Sequence, residues 1–139
     1  MPGRDLPHPP QRPPKRAPIA AVRRRDQRWA LHAYAVVGQL AKEAQDNYKI
    51  AVNGLGADIL RNGLSAALAA LERQKGGRGG ILLHHVATAG VTGLAQATGD
   101  DLPRQVRELG VDAYVIATRE ILQLAAWLKR AAQATFGDD

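Results

Sequence analysis

The stretch from Asp112 to Phe136 constrains the fold of this 139-residue chain more than any other segment. Asp112 can accept hydrogen bonds from the free N–H groups of a first helical turn, and Gly137 can adopt the left-handed conformation that ends a helix. The apolar residues between them recur at alternating spacings of three and four, which is typical of one helix face: Tyr114, Ala117, Ile121, Leu124, Leu128 and Ala131. We therefore predict a long helix over 112–136 that packs among other helices.

Comparable spacing of apolar residues predicts helices along most of the remaining chain. Asp26 can serve as the N-cap of the first helix, and the glycines and asparagines of 46–56 predict a break after it. Asn62-Gly63 is a strong hairpin signal when read alone, but helical spacing on both sides places it inside a helix, where the glycine indicates either a tolerated kink or the close approach of another backbone or a bulky ring. The predicted helices cover 26–44, 55–74, 81–98, 102–109 and 112–136. The sequence therefore predicts an all-α fold, a compact bundle of about five helices.

The first 25 residues differ in composition from the rest of the chain. Seven of the eight prolines lie at or before Pro18, and paired prolines favour the extended polyproline II conformation. Residues 1–30 carry eight basic and two acidic residues, whereas residues 31–139 carry eleven of each. We predict a disordered, basic, Pro/Arg-rich N-terminal arm over 1–25 and one helical bundle domain over 26–136. The arm could bind nucleic-acid phosphates without reading sequence, but a solvated extension or a start codon placed too early would look the same.

Two compositional facts exclude several classes of protein. The chain has no cysteine, which excludes disulfides, thiolate nucleophiles and cysteine-based zinc sites. Residues 1–22 lack the apolar core of a secretory signal, and no apolar run approaches the roughly 18 residues that a membrane-spanning helix requires. We therefore expect a soluble, cytoplasmic protein with no membrane partner.

Few residues are arranged for catalysis or metal binding. Ser65 is the only serine, and its neighbours do not form the strand-to-helix turn of a nucleophile elbow. His84 and His85 are adjacent, so their side chains diverge by about 100° on a helix instead of sharing one metal ion. None of the four glutamates is followed by a histidine three residues later, as di-iron bundles require. We expect no catalytic residue, no metal site, no cofactor and no enzymatic activity.

Several motifs occur in a particular order. A run over 62–71 reads Asn-Gly-Leu-Ser-Ala-Ala-Leu-Ala-Ala-Leu, and some forty residues later it is followed by Asp112-Ala113-Tyr114, the run Ala-Thr-Arg-Glu over 117–120, and the run Trp-Leu-Lys-Arg-Ala over 127–131. In this order and spacing they resemble the small subunit of the type III-B CRISPR effector, the Cmr complex. The dipeptide Tyr48-Lys49 and the first helix also match, so the resemblance covers about residues 23–134.

The resemblance implies a non-catalytic architectural part. Small subunits of this family are compact helical bundles that stack head to tail as a minor filament beside the subunits that carry the guide RNA. They contact the phosphates of the target RNA regardless of sequence, while base pairing with the guide supplies specificity. The partners so implied are other Cmr subunits, copies of the chain itself, and guide and target RNA, in antiviral defence. The sequence departs from the family at Ala70, where an aromatic residue is common, and over 81–94, where bulkier residues are common.

Positive charge is the remaining chemical feature. Arg119, Gln123 and Arg130 share a narrow polar strip of the last helix, and Lys129 lies beside them in sequence. Under the resemblance, the candidates for contact with RNA or a neighbouring subunit are Arg23, Arg24, Arg25, Arg28, Lys49, Arg61, Arg119, Lys129 and Arg130. The alternative for Lys129 and Arg130 is that they only stabilise the negative end of the helix, by about 0.3 to 1 kcal/mol each. For the whole chain, the alternative is a free-standing helical DNA-binding or adaptor protein that uses its basic arm.

Overall fold

The computed structural model describes residues 16–74 and 79–137, with side chains from Arg24 onward. These residues form six helices and no strand: α1 (Arg16–Gly38), α2 (Lys42–Asn62), α3 (Leu64–Arg73), α4 (Gly80–Ala87), α5 (Leu102–Arg107) and α6 (Val111–Phe136). The prediction of an all-α bundle is confirmed.

Helix α6 is the central packing element. Both α1 and α2 pack on it, and α3 packs on α2, α4 and α5. The predicted apolar stripe is the face that packs: Ala117, Ile121, Leu124, Leu128 and Ala131 are fully buried, and Tyr114 is half-buried. Each fully buried leucine or isoleucine contributes about 1.5 to 3 kcal/mol relative to its exposed state. The sequence pattern thus identified the element on which the bundle is built.

Helix α1 begins ten residues earlier than the sequence indicated. Residues 16–25 belong to this helix, so Asp26 lies inside α1 and the predicted N-cap there is wrong, whereas the division into an arm over 1–25 and a bundle domain over 26–136 stays a prediction. Pro18 lies in the first turn, where the missing N–H would have no helical partner, so it does not oppose the helix. Helix α1 ends at Gly38, before the predicted end at about Ala44. Residues 1–15 lie outside the described part of the chain, and the arm remains a prediction there.

Helix α2 passes through 46–56, where we predicted a break. Its stripe of buried residues, Tyr48, Ala51, Val52, Leu55 and Ile59, continues across the glycines of this segment. A glycine inside a helix costs about 1 kcal/mol, and the burial of this stripe outweighs that cost.

The chain breaks instead at Gly63, so the prediction of one helix over 55–74 is wrong: α2 ends at Asn62 and α3 begins at Leu64. Gly63 has φ 90° and ψ 159°, a conformation that essentially only glycine adopts. The backbone N–H of Ser65, in the first turn of α3, donates to the phenol oxygen of Tyr114 on α6 at 2.9 Å. Gly63 therefore separates α2 from α3, and Tyr114 satisfies one of the N–H groups that the new helix leaves free.

The Gly63→Ala variant is expected to lose about 1 to 3 kcal/mol of unfolding free energy, because alanine is strained at this φ and ψ. The matched control is Gly56→Ala, since Gly56 lies inside α2 and a Cβ there has nothing within 4 Å. The control is expected to gain about 0.4 to 1 kcal/mol. Urea denaturation measures both changes, and equal stability of the two variants would contradict the strain at Gly63.

Residues 81–98 form less helix than predicted. Helix α4 ends at Ala87, and a loop follows in which Gly90 and Gly93 have φ of 83° and 84°. Two glycines with positive φ within four residues cannot continue a right-handed helix. At the other end of the loop, Asp101 precedes α5 without capping it, and its carboxylate accepts the backbone N–H of Thr98 at 2.7 Å. That hydrogen bond lowers the pKa of Asp101.

A buried polar cluster joins α4 to α1 and α2. His85 of α4 is 6% exposed, and its Nδ1 lies 2.8 Å from the phenol oxygen of Tyr48 on α2. His32 of α1 donates from Nε2 to the His85 carbonyl oxygen at 2.9 Å. Burial, followed by the charges of His32 and His84, lowers the pKa of His85 to about 4. Burial also raises the pKa of Tyr48, so a protonated phenol lies beside a neutral imidazole.

Candidate nucleic-acid interface

An open groove of about 440 Å³ runs between α1 and α6. It brings together two of the predicted basic residues, Arg25 from α1 and Arg119 from α6. The lining residues are Arg25, Thr92, Ile116, Arg119, Glu120 and Gln123. Two arginines and an amide on two helical walls can donate several hydrogen bonds to a phosphate group that enters the groove.

The wall of the groove is held by Glu120, a residue that the sequence did not single out for function. Its two carboxylate oxygens accept the backbone N–H and the hydroxyl of Thr92 at 2.8 and 2.9 Å. Glu120 is 8% exposed, so this carboxylate ties the loop between α4 and α5 to the central helix. The sequence feature that could have identified Glu120 is its position on the apolar stripe of α6, three residues after Ala117 and four before Leu124, where a charged residue is unusual.

Arg25 lies near Glu120 without a hydrogen bond to it. The Nε of Arg25 is 3.9 Å from Oε2 of Glu120, which is an ion pair but too long for a hydrogen bond. The Arg25 side chain is 37% exposed. Its guanidinium N–H groups therefore have no hydrogen bond to Glu120 that a ligand would have to break.

A second contact fixes the far end of the polar strip. The indole Nε1 of Trp127 donates to the Asp26 carboxylate at 2.7 Å, which explains the role of an aspartate that is not an N-cap. The guanidinium carbon of Arg130 lies 5.0 Å from the centre of the Trp127 ring. A cation–π contact at an exposed site is worth about 0.5 to 1 kcal/mol, so Arg130 is partly ordered on the surface of α6.

The structure places the other predicted residues on separate surfaces. Lys129 is exposed, but it projects about 100° away from Arg130 and does not share its strip. On α2, Lys49 is half-buried and Arg61 pairs with Asp58 at 3.5 Å, and neither lines the groove. Arg24 and Arg28 are exposed on the outward face of α1, whereas the side chain of Arg23 lies outside the described residues. Of the eight candidates whose side chains the structure describes, Arg25 and Arg119 are the two that line the groove.

Two features are absent from the described part of the chain. Within 16–74 and 79–137, no three or more histidine, aspartate or glutamate side chains come together in a way that could hold a metal ion. In the same ranges, no helix combines the length and the apolar character that crossing a membrane requires.

Comparison with known proteins assigns the chain to a family. A family model described as CRISPR-associated protein (Cas_Cmr5) matches residues 25–135, which is most of the chain. The chain belongs to the Cmr5 family. A crystal structure of a CRISPR-associated Cmr5 family protein from Thermus thermophilus is similar, with 33% sequence identity and a TM-score of 0.69, over 80% of this chain and 96% of that chain. Comparison with curated protein sequences finds no match.

The family assignment confirms the resemblance that the sequence motifs indicated. As a Cmr5 family member, the chain is a subunit of a CRISPR Cmr complex of type III-B. The matched region contains every residue that lines the groove and the Asp26–Trp127 hydrogen bond. The family motifs over 117–120 and 127–131 therefore lie at the two ends of the polar strip of α6.

Proposed function

We propose that this chain is a non-catalytic structural subunit of a CRISPR RNA-guided, RNA-targeting effector complex that acts in antiviral defence in the cytoplasm. Copies of it stack in a minor filament and contact target-RNA phosphates without reading the base sequence. Its partners are the other Cmr subunits, further copies of itself, and guide and target RNA, and the role requires no cofactor. Membership of the Cmr5 family supports assembly with Cmr subunits rather than the free-standing DNA-binding alternative.

One observation carries the RNA contact: the groove in which Arg25 and Arg119 face each other from α1 and α6. Arg130 lies eleven residues beyond Arg119 on the same strip of α6, which is about 16 Å along the helix. Basic side chains spaced along one line can follow a phosphate backbone, and such contacts position RNA without specifying its sequence. Gln123, between the two arginines, adds a neutral donor to the same strip.

The buried polar side chains support a structural role. Two of them, His85 and Glu120, each bond to a neighbouring structural element. Tyr48 and Thr92, their partners, lie on α2 and on the loop before α5. Each of these two side chains thus hydrogen-bonds to the packing of the bundle, as structural polar residues do.

Reversing the charge of Arg119 and Arg130 together is expected to weaken binding of target RNA by the assembled, guide-loaded complex. Because each phosphate contact on a single strand releases about 0.7 of a counterion, each lost contact lowers the slope of log affinity against log salt by about that amount. Fluorescence anisotropy over a salt series measures affinity and slope together, and circular dichroism checks that the double variant remains helical.

The matched control is the double variant Arg73→Glu/Arg107→Glu, which makes the same change in charge at exposed positions of α3 and α5. Its RNA affinity is expected to change only by the general electrostatic effect. If the control weakens binding as much as Arg119→Glu/Arg130→Glu does, the groove and strip are not the RNA surface. If the complex lacks the chain altogether, the proposed function fails at the level of assembly.

A further inference from the structure

The outward face of α1 carries charge and apolar surface that nothing in the bundle covers. Helix α1 contains five arginines and one aspartate, so it alone carries a net charge of +4, and its aspartate turns inward to Trp127. From Arg24 onward, one line of exposed residues repeats at spacings of four and three, with the exposed Gln27 and Tyr34 beside it: Arg24, Arg28, Leu31, Ala35 and Gly38. Leu31 is 73% exposed. We call this set the α1 strip.

The outward face of α2 has the same spacing, and its first turns carry the acidic residues Glu43 and Asp46 together with one exposed lysine, Lys42. The positions that repeat at four and three are Glu43, Asn47, Ile50, Gly54 and Ala57, and the exposed Asp46 lies beside them. Ile50 is 52% exposed, and an open groove of about 170 Å³ lies between α2 and α3 next to Ile50 and Gly54. We call this set the α2 strip.

The two strips match when the helices are placed side by side in parallel, with a register shift of 19 residues. Alternation of three and four is the seam spacing of paired helices. In this register Arg24 lies opposite Glu43, and Arg28 lies opposite Asn47 with Asp46 next to it. Leu31 lies opposite Ile50, and the small residues that follow, Ala35 with Gly54 and Gly38 with Ala57, allow the two backbones to approach closely.

We propose that copies of this chain bind one another through the α1 strip of one copy and the α2 strip of the next. The inference rests on the proposed function, because it names the surfaces that the stacked copies use. The two strips lie on different helices, both of which pack on α6, so one copy presents both halves of the contact. Exposed leucine and isoleucine at the centre and opposite charges at one end make the pair self-complementary.

RNA and an unrelated subunit fit this pair of surfaces less well than a second copy does. A phosphate chain could neutralise Arg24 and Arg28, but it would leave Leu31 in water. An acidic partner with apolar surface could cover the α1 strip, but it would leave the exposed Ile50 of the α2 strip in water. A second copy covers both the charged and the apolar part of each strip at the same time.

Because the chain has no cysteine, a disulfide between the strips can test the contact inside the assembled complex. The double variant Leu31→Cys/Ile50→Cys is expected to form a ladder of linked copies under mild oxidation, since a disulfide requires Cβ atoms about 3.5 to 4.5 Å apart. The control is Leu31→Cys/Leu60→Cys, because Leu60 is 76% exposed on another face of α2. It is expected to give no ladder.

Charge reversal provides an independent test with the isolated chain, measured by analytical ultracentrifugation. The variants Arg24→Glu/Arg28→Glu and Glu43→Arg/Asp46→Arg are each expected to weaken self-association about tenfold. Mixing the two variants in equal amounts restores opposite charges across each contact and is expected to restore association. The control Arg73→Glu/Arg107→Glu is expected to associate as the unmodified chain does.

The outcomes separate the inference from the proposed function. A ladder from Leu31→Cys/Ile50→Cys together with recovery in the mixture supports the α1–α2 contact. If native mass spectrometry shows several copies in the complex but the double cysteine variant gives no ladder, the copies are adjacent through other surfaces and the inference is overturned. If each complex holds a single copy, the stacking part of the proposed function fails as well.

Discussion

The free energy of unfolding is expected to fall by up to about 3 kcal/mol as the pH is lowered from neutral to about 4, because the folded chain resists protonation of His85. Burial, with the nearby His32 and His84, lowers the pKa of His85 from 6.5 to about 4. Between these two values the unfolded chain binds a proton that the folded chain does not. Stability therefore decreases as the pH falls through this window, and the contribution of His85 is constant above it.

Urea denaturation at a series of pH values measures this dependence, and two variants isolate its source. His85→Gln removes the titrating group but keeps an acceptor for Tyr48, so it is expected to be less stable at neutral pH and to depend less on pH between 4 and 6.5. His84→Gln, at the exposed neighbour, is expected to keep most of the slope. An unchanged slope in His85→Gln would show that another group controls the acid sensitivity.

The core of the fold was predictable because it depends on local spacing. The buried face of α6 follows from the three-and-four pattern that ends at Leu128 and Ala131, and Gly137 ends the helix with φ 89° as expected. Such a pattern lies entirely within one segment, and the apolar face that it predicts is the face that becomes buried. The all-α class and the central position of α6 required no information from distant parts of the chain.

The helix boundaries that were predicted wrongly are those at which local sequence signals compete with contacts from distant parts of the chain. Gly54 and Gly56 looked like a break, but the buried stripe of α2 overrides them, whereas Gly63 looked tolerable inside a helix and is the actual break. Asp26 looked like an N-cap because its partner, Trp127, lies 101 residues away in sequence. A single sequence does not report which residues meet at such distances.

The candidate site was predictable only in part for the same reason. The strip formed by Arg119, Gln123 and Arg130 follows from helical geometry, and these residues are exposed. The groove depends on the packing of α1 against α6, which places Arg25 beside Glu120. It also depends on the hydrogen bond between Glu120 and Thr92, a loop residue 28 positions earlier in the sequence. Lys129 was grouped with Arg130 by adjacency in sequence, although adjacent helical residues point about 100° apart.

Replacing Glu120 with alanine is expected to lower the free energy of unfolding by about 2 to 3 kcal/mol, since hydrogen bonds to a charged acceptor contribute about 1.5 to 3 kcal/mol each and water partly replaces them at exposed Thr92. Glu120→Gln, which keeps an acceptor oxygen, is expected to lose less. The control is Glu108→Ala, because Glu108 pairs with Arg104 at the surface and such pairs contribute about 0 to 1 kcal/mol. Thermal unfolding that is equal for Glu120→Ala and Glu108→Ala would contradict the anchoring role.

The same variant separates charge from shape at the groove. Glu120→Ala removes a negative charge beside Arg25 and Arg119, so charge alone predicts tighter RNA binding. Loss of the two hydrogen bonds to Thr92 releases the loop that lines the groove, so the change in the shape of the groove predicts weaker RNA binding. We expect weaker binding by the assembled complex, with faster amide hydrogen exchange confined to residues 88–101, because the arginines act together only when the loop holds the groove open. Tighter binding with unchanged exchange would show that the two arginines act as independent surface charges.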